Sequence, residues 1–401
     1  MNADALGTLR WPLVLHFANL LPFKATGCTR EDFPLIGERD VLVIHDDRML
    51  AHRPDVKTPF QPGKLDSRIQ AILGRLFDGA AIPWSYPEHP GRLSAITDLL
   101  TLEPVPGVRY ETAHAATQEQ LGRVHATSYL ETIYALRGKQ TWLDVDTTAV
   151  SPGSIDAAEV AAGSAIAAVD AAVNGRAGSA FALCRPPGHH AGSVRARGFC
   201  LFNNVAVAAA HAHTVLGCER VLIIDWDVHH GNGTQDIFWT SPNVMFFDTH
   251  RAAPFYPGTG NKEEIGEGLG EGLTVNVPLP AGCGDLALVH AYREILVPAV
   301  EWFQPDVILV SAGFDMHRLD LCMNLSFNGF GMLTRIVQEL ADQHCNGRLA
   351  MILEGGYHLE SLSRGVHTVL QVLAGGSAQE SEEPGMHDVQ ELIAFHKEAF
   401  R

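Results

Sequence analysis

Residues 220–235 read RVLIIDWDVHHGNGTQ, an apolar run suited to a buried strand that stops in two aspartates and two adjacent histidines. Buried strands seldom end in so many titratable groups unless those groups bind something. On an extended backbone Asp225, Asp227 and His229 would share one face, because side chains alternate with period two. Asp315, just past the apolar run in VSAGFDMH, can supply a further carboxylate from a second strand end. Two carboxylates and one imidazole leave a coordination position open for water, as a catalytic metal site requires. Zn²⁺ suits such a set, and Fe²⁺, Co²⁺ or Mn²⁺ would also be accepted. His189 and His190 follow R-P-P-G, whose prolines bar a regular helix and whose Gly188 allows a sharp bend. Paired imidazoles beside an activated water can take its proton and later return one to a departing amine. Tyr357, in E-G-G-Y-H, carries a hydroxyl that can hydrogen-bond an oxyanion.

These residues need a frame that brings them together. From about residue 155 the chain alternates helical and strand patterns, the mark of βα units that build a parallel sheet. The pattern predicts an alanine-rich helix over 155–175 and strands over 179–184, 220–225, 243–250, 273–279, 306–313 and 349–356. Further helices are expected over 203–217, capped by an asparagine, and near 286–303, 331–345 and 360–374. Four of the strands end in RPPGHH, DWDVHH, FDMH and EGGYH. Ligands of parallel α/β sheets bind beyond the carboxyl ends of the strands, so these four loops should converge on one pocket. Residues 1–150 are less periodic and are expected to supply loops and helices around that core, and only 375–385 reads as a flexible segment.

A chain of 401 residues, 46% hydrophobic and 19% charged, can bury a large core as one α/β domain or two smaller ones. Its net charge of −17 argues against nucleic acid as a partner and mildly favours a cationic one. Seven scattered cysteines without a CxxC pair suggest neither a disulfide framework nor a zinc knuckle, so a cytoplasmic location is expected. The stretch 11–23, interrupted by His16 and Asn19, makes a poor signal peptide. No run of ~20 apolar residues exists to span a bilayer, so no membrane association is expected.

Taken in order, EHPGRL, VHATSYLE, RPPGHHAG, GFCLFNN, DWDVHHGNGTQDIF, FYPGTG, VSAGFD and EGGYH resemble the histone deacetylase family, including its bacterial relatives and the acetylpolyamine amidohydrolases. The resemblance implies an arginase-like three-layer α/β fold with a mostly parallel central sheet and helices on both faces. It implies one domain over 1–401, with a recognisable core at about 80–374, residues 1–79 packed on it and a C-terminal segment at 375–401. One catalytic Zn²⁺ would be held by Asp227, His229 and Asp315. His189 and His190 would be the acid/base pair, Tyr357 would polarise the acyl carbonyl, and Asp225 would support His189. Asn232, where some members carry aspartate, places the chain nearer the class II group. Phe199 and Tyr256, with Gly198 beside them, would wall an acyl-lysine tunnel.

The chain departs from the family pattern in three places. Tyr256 stands where phenylalanine is common. Asp248 replaces a common serine at a structural K⁺ site that would also use Asp225 and the backbone near Asp227 and His229. DMHRLDLC (315–322) lacks the usual proline and places Cys322 at the rim. The expected activity is zinc-dependent removal of acetyl or other acyl groups from acetyl-lysine, in a protein or a small molecule, or from an acetylated alkylamine, in a chain that can form a homo-oligomer. A two-metal ureohydrolase of the arginase type is the first rival, but it would need an aspartate where His317 stands. A silent acyl-lysine-binding module is the second, but such proteins usually lose a ligand or the tyrosine.

Overall fold

In the computed structural model, the described residues are 39–54, 86–144, 147–381 and 389–399. The chain separates into residues 1–37 and 38–401, and every described residue belongs to the second unit. The apolar stretch 11–23 and Cys28 lie outside the described residues, as do most of 1–79 and part of 375–385.

Strands β1 (Val41–Ile44), β2 (Val108–Glu111), β5 (Ser179–Ala182), β6 (Val221–Asp225), β7 (Val244–Arg251), β8 (Thr274–Leu279), β9 (Val307–Ala312) and β10 (Leu349–Leu353) form one sheet in the order β2-β1-β5-β10-β9-β6-β7-β8. Every neighbouring pair in it is parallel. Two short strands, β3 (Thr141–Trp142) and β4 (Ala149–Val150), pair separately and antiparallel. The inner strands are continuous apolar runs because helices cover both faces of the sheet. Ser154–Val173 and Asn204–Thr214 pack together in one helical layer, and Gly91–Leu102, Phe327–His344 and Leu359–Leu373 pack together as well. The three-layer α/β expectation holds.

The alanine-rich helix spans Ser154–Val173, and the helix capped by Asn203 spans Asn204–Thr214, with the asparagine side chain accepting from the Ala206 N–H at 3.0 Å. The expected helix at 286–303 is continuous but changes pitch, passing through a π turn at Tyr292–Leu296. Residues before 150, expected to form loops and helices, also add β1 and β2 to the sheet. β1 is a buried VLVI of four residues and β2 a largely exposed edge VRYE, both too short for a period to show. Among the described residues no helix is long and apolar enough to cross a membrane.

The sheet order carries the functional consequence. β5, β10, β9 and β6 are contiguous at its centre, and they are the four strands that end in RPPGHH, EGGYH, FDMH and DWDVHH. Parallel pairing puts all four loops at the same edge.

Candidate active site

At that edge one ligand atom each from Asp227, His229 and Asp315 lies within 4.8 Å of the other two. They do not get there by strand alternation. β6 ends at Asp225, and the chain then folds through two side-chain turns: Asp225 Oδ1 accepts from the Asp227 N–H at 3.0 Å, and Asp227 Oδ1 accepts from the His229 N–H at 2.9 Å. These turns aim His229 Nδ1 between the carboxylates, 2.9 Å from Asp227 Oδ1 and 3.3 Å from Asp315 Oδ2. Asp225 faces away from the cluster, and its Oδ2 sits 3.0 Å from His189 Nδ1.

The cluster suits a divalent cation. Asp315 Oδ2 is buried and meets no donor beyond His229 Nδ1 at 3.3 Å. Burying carboxylates this way costs on the order of several kcal/mol per ion unless a counter-charge compensates. The space between them is also kept free of protein: a Cβ on Gly355 would fall 2.3 Å from Asp315 Oδ2 and 2.5 Å from Asp227 Oδ2. Gly313 is as tightly placed, since its Cβ would lie 2.2 Å from Asp227 Oδ2. Neither glycine was singled out in the sequence; their only signal was a place within two residues of a strand end. Gly355→Ala should therefore lower metal occupancy while sparing the distant core, and near-stoichiometric metal in the purified variant would contradict the close approach.

Charge in the site follows from burial and neighbours. Burial opposes protonation of His229, but Asp227 and Asp315 outweigh it and raise its pKa to about 9. Burial and the Asp227 charge raise that of Asp315. The adjacent histidines diverge. His189, though buried, is pushed well above the usual histidine range by Asp225 and Asp227, whereas His190 is held well below it by burial and by the charges of His189 and His229. Their partners account for part of this, because His190 Nδ1 meets the neutral Asn232 Oδ1 at 2.8 Å where His189 meets a carboxylate. The two rings lie 4.1 Å apart, and His190 is 5.8 Å from the His229 ring.

Tyr256 stands edge-on to His190 at 5.2 Å and to His229 at 6.0 Å. Phe199 stands edge-on to Tyr357 at 5.8 Å. Gly198, with φ +55°, lies so close to His190 that a Cβ would meet its Cδ2 at 2.2 Å, so only glycine fits there. Phe255 was missed in the sequence: it stacks on His229 at 5.1 Å.

Tyr357 is positioned from two sides by residues to which the sequence assigned no role. Asp320 Oδ2 accepts from the N–H groups of Tyr357 at 2.7 Å and His358 at 2.8 Å. Burial and the nearby Asp315 push the Asp320 carboxyl up to about 7. Arg92, buried in an ion cluster with Glu88, donates to the carbonyls of Gly356 (2.6 Å) and Glu354, and its guanidinium lies 5.2 Å over the Tyr357 ring. The EHPGRL element contains both residues, and the departure DMHRLDLC contains Asp320.

Asp248 pairs with Asp225 across β6 and β7, as the potassium expectation needs. Its oxygens are already engaged, Oδ2 by the Gly231 N–H at 2.8 Å and Oδ1 by His250 Nδ1 at 2.7 Å. Asp225 likewise serves Asp227 and His189. His230 is structural, held between Thr259 and Gln235.

Residues 86–373 match the histone deacetylase domain, nearly three-quarters of the chain. The chain belongs to the histone deacetylase family. Histone deacetylase 14, chloroplastic, of Arabidopsis thaliana is 41% identical over 311 residues, 73% of each chain. The histone deacetylase-like amidohydrolase of Pseudomonas aeruginosa is 41% identical over 273 residues, 68% of this chain and 71% of that one. The crystal structure of an HDA15 HD domain superposes with a TM-score of 0.76 at 33% identity, covering 90% of this chain and 94% of that one.

Proposed function

We propose that this member of the histone deacetylase family is a zinc-dependent amidohydrolase that removes acetyl groups from the amine of a lysine or of a linear alkylamine. The observation that carries the reading is the convergence of Asp227, His229 and Asp315 directly beside the asymmetric pair His189 and His190. Bound there, a zinc ion would supply Lewis acidity to the amide carbonyl and lower the pKa of a water molecule toward ~7.

The chain's own residues do the rest. His190, backed at Nδ1 by the Asn232 side-chain oxygen, can accept the proton of the attacking water at Nε2. Asp225 pairs with His189 Nδ1, orients its ring and favours its charged form, so Nε2 can donate toward the departing amine. The Tyr357 hydroxyl, kept protonated by burial and by the field of Asp315, donates to the oxygen on which charge develops.

Phe199 and Tyr256, each edge-on to a ring of the site, would wall a narrow channel that admits an unbranched alkyl chain. Acetyl-lysine amides and acetylated polyamines should turn over far faster than N-acetyl aromatic amines, and equal rates on both classes would contradict a channel. A panel of these substrates, run with metal analysis showing one ion per chain, tests the reading as a whole. Near two ions per chain would favour the ureohydrolase, and no turnover of any acetyl amide would favour the binding module.

A further inference from the structure

We infer that Glu354 is a positioning residue that sets the height of the His189–His190 backbone over the Asp227–His229–Asp315 cluster. It directly follows β10, immediately before the two glycines that precede Tyr357. Its side chain is fully buried and meets only donors: Oε2 accepts from the Gly188 N–H at 2.7 Å and the His189 N–H at 3.1 Å, and Oε1 lies 3.5 Å from Ser311 Oγ. A buried carboxyl surrounded by donors is stable as an acceptor, and two consecutive N–H groups sharing one oxygen fix the local chain direction.

The loop it holds has little freedom elsewhere. A Cβ at Gly188 would fall 2.4 Å from the Asn204 N, so the loop is pressed between Glu354 on one side and Asn204 on the other. The His189 carbonyl is taken by the Thr234 N–H at 3.1 Å, so the peptide groups on both sides of His189 are anchored. Glu354 also links the remaining parts of the site. Its own N–H donates to Ala312 on β9 at 3.0 Å, its carbonyl accepts from Arg92, and the next N–H, of Gly355, donates to Asp227 Oδ2 at 2.8 Å. One residue thus sets the spacing between the histidine pair and a ligand carboxylate. A displacement of about 1 Å between reacting groups can cost ~10²-fold in rate.

The inference rests on the amidohydrolase reading, and the test separates the two. Wild-type, Glu354→Gln, Glu354→Asp and Glu354→Ala proteins, each as the full chain, are assayed for kcat, KM, metal content and melting temperature, with histidine ring ¹⁵N signals recorded in parallel. Gln keeps an oxygen toward Gly188 and His189 and can turn its amide N–H to Ser311 Oγ, so its kcat should stay within about fivefold of wild type. Asp is shorter by one bond of about 1.5 Å and cannot reach, and Ala has no acceptor. Both should lose ~10²-fold in kcat with KM and metal content nearly unchanged. The His189 and His190 ring signals should move in Asp and Ala but not in Gln. Equal losses in Gln and Ala, or wild-type kcat in the Asp variant, would overturn the positioning role. If the wild-type protein shows no turnover, the amidohydrolase reading fails by itself, and the ring signals still decide the inference: unmoved signals in the Asp variant refute it.

Discussion

Asp315→Ala is expected to bind essentially no metal and to lose turnover. Asp315 brings a second buried carboxylate up to Asp227, and one of its oxygens meets only His229 Nδ1, at 3.3 Å. Without a metal ion, the His229 imidazole between the two carboxylates offsets only part of their repulsion and desolvation. Added zinc should therefore raise the melting temperature of wild type but not of the variant, because a ligand that binds only the native state stabilises in proportion to its affinity. Lewis-acid activation is worth several kcal/mol, and each ~1.4 kcal/mol is tenfold, so kcat should fall by on the order of 10³ or more. Metal analysis and melting curves with and without zinc check the prediction. Full occupancy in the variant would remove Asp315 from the ligand set.

Tyr357→Phe should keep the metal, the fold and the ring position, yet lower kcat by ~10²–10³, or about 3 kcal/mol, with little change in KM. The ring position should persist because nothing that fixes it involves the hydroxyl. Asp320 holds the Tyr357 N–H, Arg92 lies over the ring, and Phe199 meets it edge-on, all of which a phenylalanine retains. Only the donor to the developing oxyanion is lost. A tyrosine that served packing alone would instead show normal turnover with a lower melting temperature. Measuring kcat, zinc content and melting temperature on one preparation distinguishes the two, and metal-replete variant protein with wild-type kcat would rule out the oxyanion role.

The positions of the chemical groups along the chain were legible because parallel α/β architecture writes itself into linear patterns. Apolar runs of four to eight residues bounded by turn residues mark buried strands, and polar residues at their carboxyl ends mark the ligand-binding edge. From that alone Asp227, His229, Asp315, His189, His190 and Tyr357 could be assigned to one pocket before any coordinates. β1 and β2 were not legible, since four residues carry no measurable period and their membership depends on pairing with β5 and with each other.

Only the tertiary structure decided how the pocket is held. Strand alternation would have pointed Asp225 at the cluster with Asp227 and His229; side-chain-to-backbone turns after β6 send it to His189 instead. Residue type could not reveal that Asp320 and Glu354 hold backbone N–H groups 37 and 166 positions away, or that Arg92 reaches carbonyls more than 260 residues on. Such contacts join strand ends that are remote in sequence and adjacent only because the sheet order is β5-β10-β9-β6. The chain therefore specifies locally which groups can react, since strand ends and glycine turns depend on short-range conformational preference. The distances at which they can react are specified by buried hydrogen bonds between segments that meet only once the sheet has formed.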